Sequence, residues 1–304
     1  MIKNNILETI GETPLVRLNN IAAFLNLKGE LYAKVESFNP GASIKDRVAI
    51  AIMEKAEREG LLNRDTVIME ATSGNTGIAL AMYAAVKKYH LILVMPESMS
   101  LERRQLLKAY GVELVLTSAA LGMQGCLAKL EELKKEYPKH FIADQFNNEA
   151  CVDAHYEHTA AEIVTELNNF DYFVAGFGTG GTISGCAKYF KDRNLNIKVV
   201  GVEPLSSPLL TEGKSGPHKI QGIGANFIPT ILRRDLIDEV VAISDADAYE
   251  YSNLLAKQEG ILCGISAGAA LKAAVDIAKQ ENKKIVLILP DTGMRYLSMG
   301  VYDA

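Results

Sequence analysis

Apolar runs rich in Val, Ile and Leu alternate along the chain with segments in which apolar residues recur at helical spacing. The pattern therefore predicts strand, helix, strand, helix over most of the length. Strands are predicted over residues 30–35, 66–69, 91–95, 112–116, 172–175, 197–202, 239–243 and 284–289. Most are continuous apolar runs, as expected of strands covered by helices on both faces of a parallel sheet. Helices are predicted over 44–59, 76–88, 101–110, 124–136, 155–167, 182–192, 246–258 and 267–280. The first is punctuated at both ends: Ser43 can cap its start, and Gly60 can close it by permitting left-handed backbone. The fold class is α/β. Two sheets fit the run of elements, with a change near the polar segment DQFNNEA after Ala143.

Composition narrows this picture. A chain of 304 residues corresponds to one large or two ordinary domains, and 48% hydrophobic with 23% charged residues is a globular balance. A net charge of -5 with no basic run excludes nucleic-acid binding by bulk electrostatics. The apolar runs, such as 48–53 and 285–289, fall far short of the roughly 20 residues that span a bilayer. The start, MIKNNILETIGETPLV, has no basic segment followed by a long apolar stretch and a cleavage site, so a cytoplasmic protein is expected. Cys126, Cys151, Cys186 and Cys263 lie far apart with no C-x-x-C pair and read as buried thiols. His155 and His158, three apart on a predicted helix, lack a third ligand and read as packing or surface histidines; no metal is expected.

Three polar, glycine-containing turns carry the candidate chemistry. In open α/β sheets ligands bind at the carboxyl ends of strands, and all three turns follow predicted strands. EATSGNTG (70–77) leads into a helix, and Thr72, Ser73, Asn75 and Thr76 with the free amides of that helix start suit a carboxylate. GFGTGGT (176–182) admits two readings. Gly176, Gly178 and Gly181 satisfy G-x-G-x-x-G and Glu203 follows at the next strand end, as a dinucleotide fingerprint requires; alternatively the loop holds one phosphate of a smaller cofactor, with Thr179 and Thr182 adding hydroxyl donors. Spacing alone slightly favours the dinucleotide. In FNPGASIKDR (38–47), Lys45 falls in the first turn of a helix, where the positive dipole end lowers the cost of the neutral amine that forms a Schiff base.

Over its whole length the chain resembles the cysteine synthase, or O-acetylserine sulfhydrylase, group of pyridoxal-phosphate enzymes of the tryptophan-synthase-β fold type, fold type II. The matching segments, in family order, are ETIGETPLVRL (8–18), ESFNPGASIKDR (36–47), EATSGNTGIALA (70–81), MPESMSLERR (95–104), GTGGTISG (178–185), HKIQGIGA (218–225), GISAGAA (264–270) and LPDTGMRYLS (289–298). The resemblance implies two domains, each built on a mostly parallel twisted sheet flanked by helices. A smaller substrate-loop domain comprises 1–12 and 39–149, and a larger cofactor-phosphate domain comprises 13–38 and 150–304. It also decides the contest over the glycine loop in favour of a pyridoxal 5'-phosphate cradle.

By the same resemblance Lys45 is the lysine that binds the cofactor aldehyde and then removes the substrate α-proton. Asn75 hydrogen-bonds the ring hydroxyl oxygen, and Gly178, Thr179, Gly180, Gly181 and Thr182 surround the phosphate. Ser266 faces the pyridine nitrogen, where a neutral hydroxyl weakens the electron sink and favours loss of a β-substituent over transamination. Thr72, Ser73, Thr76 and Gln145 resemble the loop that takes the substrate carboxylate and, by closing on it, keeps water from an α-aminoacrylate intermediate. Met123 matches a methionine beside the substrate pocket, and core packing explains it equally well.

The chain departs from the family where cysteine synthases read GIGAGFIP. Here the segment is GIGANFIP, with Asn226 in place of a glycine and Gly222 ahead of it at the mouth of the expected site. Drift on a left-handed turn, which asparagine tolerates, and an amide that orients a larger thiol or a water weigh equally. The expected reaction is β-replacement on O-acetylserine by sulfide, giving cysteine and acetate. The alternative runs the same chemistry on cysteine, releasing hydrogen sulfide and forming lanthionine, serine or another thioether; a more remote one is an NAD-binding Rossmann-type protein. The resemblance further implies a homodimer and a docking peptide from serine acetyltransferase.

Overall fold

The computed structural model describes residues 2–72 and 74–303. Its contacts divide the chain into two compact units, a smaller one of Met1–Ile10 and Lys45–Ala150 and a larger one of Gly11–Ile44 and Cys151–Ala304. The larger unit opens with β1 (Leu15–Arg17), α1 (Asn19–Phe24) and β2 (Glu30–Val35). The smaller follows with α2 (Lys45–Arg58), β3 (Val67–Ala71), α3 (Asn75–Lys87), β4 (Leu91–Pro96), α4 (Leu101–Ala109), β5 (Glu113–Thr117), α5 (Gly122–Glu136) and β6 (His140–Ile142). The chain then runs through α6 (Ala150–Ala154), a π-helical turn (His155–Thr159) and α7 (Ala160–Glu166), followed by β7 (Tyr172–Gly176), α8 (Gly181–Asp192), β8 (Lys198–Pro204) and α9 (Leu209–Glu212). It closes with β9 (Glu239–Ile243), α10 (Asp245–Leu254), a second π-helical turn (Leu255–Glu259), α11 (Ile265–Gln280) and β10 (Lys284–Leu289).

In the larger unit the strand order is β1-β2-β10-β7-β8-β9, parallel throughout except for β1, which runs antiparallel to β2. The smaller sheet is fully parallel in the order β5-β4-β3-β6. Continuous apolar strands arise because both faces are covered. Along β10, Ile285, Leu287 and Leu289 pack into a core with the alanine-rich face of α11, while Val286 and Ile288 pack on the opposite side with Phe173, Phe190 and Ile183. Successive strand residues point to opposite faces, so each needs its own apolar partner layer. In the smaller unit Ile92 and Val94 of β4 meet Met69, Cys126, Leu130 and Leu133, which places α5 against that face.

The eight predicted strands form. The two additional ones, β1 and β6, are three residues each, too short for an apolar run to register. The predicted helices form as well, those at 155–167 and 246–258 each containing a π-helical turn. Gly60 ends α2 with φ +72, as a left-handed closure requires. All four cysteines are buried thiols. Ala150, expected in the larger domain, falls in the smaller unit, and residues 11–12 and 39–44, expected in the smaller domain, belong to the larger unit. Residues 42–44 pair by backbone with the chain after β10: Ile44 N–H donates to Pro290 O at 2.8 Å, Thr292 N–H donates to Ala42 O, and Ser43 bridges Asp291; Gly11 N–H donates to Asn39 Oδ1 of the same segment at 2.9 Å.

Candidate active site

In the smaller unit the site residues gather at the carboxyl end of β3. Thr72 follows the strand, and its backbone N–H still donates to Val94 O of β4 at 3.1 Å. Its Oγ1 accepts from Gly74 N–H at 3.3 Å, shaping the turn that leads into α3. Gly77 lets that helix sit low on the sheet: a Cβ there would lie 3.1 Å from Leu93 Cδ1 and 3.2 Å from Thr72 Cγ2. Asn75 is the first residue of α3 and Thr76 the second, and Thr76 Oγ1 donates to Gln145 Oε1 at 2.6 Å. Thr72, Thr76 and Gln145 are all buried. At the start of α3 hydroxyls, an amide and the positive end of the helix dipole meet at one place, which is what a carboxylate needs. Ser73, expected in the same cluster, lies outside the described residues.

Glu70, the first residue of EATSGNTG, has no role assigned by the motif and supports this arrangement from behind. It is buried in β3 and accepts from Asp144 N–H at 3.0 Å, and Asp144 takes a left-handed φ of +47. The bond holds the turn that presents Gln145. Burial pushes the Glu70 carboxyl up to about 7, against the opposing pull of the Asp144 and Ala143 backbone N–H groups. A carboxylate two residues before a polar turn was the available signal. Lys45 is half-buried at the first position of α2, and Met123 stands exposed in the first turn of α5, which removes the core-packing explanation for it.

In the larger unit the glycine loop leaves β7 and enters α8. Gly180 caps the helix with φ +86, and a Cβ on it would lie 2.8 Å from Leu232 Cδ1. A Cβ on Gly178 would overlap the carbonyl oxygen of Gly222, and one on Gly181 would lie 3.0 Å from Cys151 O. Gly222, at φ +94, has its open side toward Ser266, whose Oγ would sit 3.6 Å from a Cβ there. Ser266 is buried in the first turn of α11. The structure thus brings the glycine loop, Gly222 and the start of α11 together within one unit. Thr179 is buried beside Gly181, whose N–H donates to its Oγ1 at 3.4 Å, and Thr182 Oγ1 lies 3.1 Å from His155 Nε2.

Asn226 adopts φ +63, the left-handed conformation allowed for in the sequence reading, and its Oδ1 accepts from Ser207 Oγ at 2.7 Å. It lines a water-sized cavity of about 10 Å³ together with Gly178, Ser207 and Phe227, which sets it close to the glycine loop. Glu203 does not serve a ribose. Its oxygens accept from Leu210 N–H at 2.9 Å, Thr211 N–H at 3.1 Å and Thr211 Oγ1 at 2.5 Å, which fixes the start of α9. The dinucleotide fingerprint therefore loses its acidic member, and the correct spacing reflects a cap.

The residues present fit a phosphorylated aromatic aldehyde. A glycine cradle without room for side chains opens the amides of α8 to a phosphate, a neutral hydroxyl at the start of α11 suits a pyridine nitrogen, and a lysine begins α2. Fold and donor set define an α/β enzyme of the kind that carries its chemistry on such a cofactor. The model of the family described as pyridoxal-phosphate dependent enzyme matches residues 6–291, and the chain belongs to that family. It is 46% identical over 304 residues to a cysteine synthase of Staphylococcus aureus, covering 99% of this chain and 97% of the relative. Among solved structures it resembles a hydrogen sulfide-producing enzyme from Fusobacterium nucleatum, at TM-score 0.92 and 51% identity over 97% of this chain and 100% of that one. It also resembles a cysteine synthase from Entamoeba histolytica, at TM-score 0.97 and 41% identity over 100% and 92% of the two chains.

Proposed function

We propose that this chain is a β-replacement enzyme of the cysteine synthase type, exchanging the acetoxy group of O-acetylserine for sulfide to give cysteine and acetate. The observation that carries the reading is the buried Thr76–Gln145 pair at the start of α3, which supports a receptor there for the carboxylate of an amino acid. When bound, pyridoxal phosphate supplies an electron-withdrawing ring that acidifies the Cα–H of an attached amino acid and eases departure of its β-substituent. Lys45 holds the cofactor by its amine and takes the Cα proton on Nζ. Gly178, Thr179, Gly180, Gly181 and Thr182 hold the phosphate, Asn75 bonds the ring oxygen, and Ser266 meets the ring nitrogen with a hydroxyl and not a carboxylate. Thr72, Ser73, Thr76 and Gln145 orient the substrate through its carboxylate, with Met123 and Gly222 beside it.

A second reading rests on Asn226. Its Oδ1 is committed to Ser207, and its amide nitrogen carries two donors for a water or for a thiol larger than sulfide. With cysteine as first substrate, the Cβ–S bond breaks to release hydrogen sulfide and a second thiol or water forms the new Cβ bond, giving lanthionine, another thioether or serine. Similarity to a hydrogen sulfide-producing enzyme supports this reading. A cytoplasmic homodimer able to take the C-terminal peptide of serine acetyltransferase belongs to the same proposal by resemblance. Incubating the purified enzyme with O-acetylserine plus sulfide, and separately with cysteine alone, tests both. Cysteine formation in the first mixture supports the leading reading, sulfide release in the second supports the alternative, and neither product overturns both.

A further inference from the structure

His155 is completely buried in the π-helical turn between α6 and α7, with Nδ1 2.9 Å from Thr159 Oγ1 and Nε2 3.1 Å from Thr182 Oγ1. Two glycines one helical turn apart build the approach. A Cβ on Gly181 would lie 3.0 Å from Cys151 O, and one on Gly185 would lie 2.8 Å from His155 Cβ and overlap Val152 O. Bare backbone on this face of α8 lets the α6 segment lie directly on it, and π-helical turns recur at functional sites because they re-aim side chains. A fully buried imidazole thus reaches the helix start where the glycine loop ends, placed between two hydroxyl groups.

We propose that His155 is a positioning residue that aims the hydroxyl proton of Thr182 at the cofactor phosphate. This rests on the placement of the phosphate at residues 178–182 proposed above. A phosphate oxygen only accepts, so Thr182 bonds it as a donor; its oxygen is then available to His155 only as an acceptor, and His155 Nε2 must carry a proton. An imidazole lacking a proton on Nε2 would take the Thr182 proton for itself and turn a lone pair toward the anion. The resting geometry, Thr182 Oγ1 beside Nε2, supplies the pair through which this choice is made.

The test compares pyridoxal 5'-phosphate with pyridoxal, which lacks the phosphate, for binding to enzyme freed of cofactor. His155→Leu weakens binding of pyridoxal 5'-phosphate about tenfold and leaves pyridoxal unchanged, while His155→Gln, whose amide donates from the Nε2 position, restores the preference. Equal weakening of both aldehydes, or failure of the glutamine to restore, overturns the proposal. Thr182→Val separates the two layers of inference. If it leaves the phosphate preference intact, the cradle is misplaced; if it abolishes the preference and His155→Leu does not, the cradle stands and the role of His155 fails. Nitrogen NMR of the unaltered holoenzyme needs no variant: a proton on His155 Nε2 supports the proposal, and a bare Nε2 overturns it.

Discussion

Thr76 Oγ1 donates to Gln145 Oε1 across 2.6 Å, joining the first turn of α3 to the loop after β6. The two residues stand 69 positions apart, and each is buried in the smaller unit. The bond holds both side chains at the start of α3, where the positive end of the helix dipole lies.

Removing half of the pair tests its role in substrate binding. Gln145→Ala is expected to raise the KM for the amino-acid substrate and lower kcat/KM by about tenfold or more, because a hydrogen bond to a charged group contributes roughly 1.5–3 kcal/mol. Gln145→Glu, which sets a like charge beside the substrate carboxylate, costs more than the alanine. Steady-state kinetics with O-acetylserine checks both, and an unchanged KM would dismiss the pair as a purely structural contact.

Glu70 predicts a pH dependence of stability. Its folded pKa of about 7 lies above the ordinary value of 4.5, so the folded state holds the proton more tightly. The resulting stabilisation is fully present below pH 4.5 and is lost as pH rises to about 7, with a size on the order of 3 kcal/mol. Glu70→Gln, which keeps an acceptor for Asp144 N–H, removes this loss. Denaturant unfolding between pH 4.5 and 8 is expected to show the variant gaining on the wild type as pH rises; parallel curves would contradict the assignment.

Lys45→Ala is expected to lose the visible absorption band of the bound cofactor and to lower turnover by about 10³-fold or more, since both the covalent anchor and the proton acceptor vanish. Absorption spectra of the purified variant, with peptide mass spectrometry of the borohydride-reduced wild type, provide the check. A pyridoxyl group on any other lysine would refute the role of Lys45.

Asn226→Gly shifts the balance between the two substrates. With the amide gone, sulfide release from cysteine is expected to fall about tenfold relative to cysteine formation from O-acetylserine, the cost of one or two lost hydrogen bonds. Ser207→Ala, which releases Asn226 Oδ1 without altering the left-handed turn, is expected to move the ratio in the same direction by a smaller amount. An unchanged ratio in both variants would leave Asn226 as a turn residue.

The parallel strands were legible because burial on both faces writes itself into every residue of a run, as in β4 and β10, whereas β1 and β6 were too short to leave such a mark. The glycine loop was legible as an anion cradle, but its spacing equally suited a dinucleotide. Only the bonds from Leu210 and Thr211 show that Glu203 serves the chain itself. His155 reads in the sequence as a packing or surface histidine; nothing local in HYEHT reveals that its ring meets a hydroxyl 27 residues onward.

By itself the sequence determined the order of strands and helices, the lysine at a helix start and the loops able to hold anions. Those features depend on periodicity, caps and backbone freedom among residues a few positions apart. Tertiary structure alone decided which polar groups meet: Thr76 with Gln145, Glu70 with Asp144, Thr182 with His155, Asn226 with Ser207. Such pairs arise from sheet order and from glycine-permitted approach of one helix to another, so their geometry exists only once distant segments are packed.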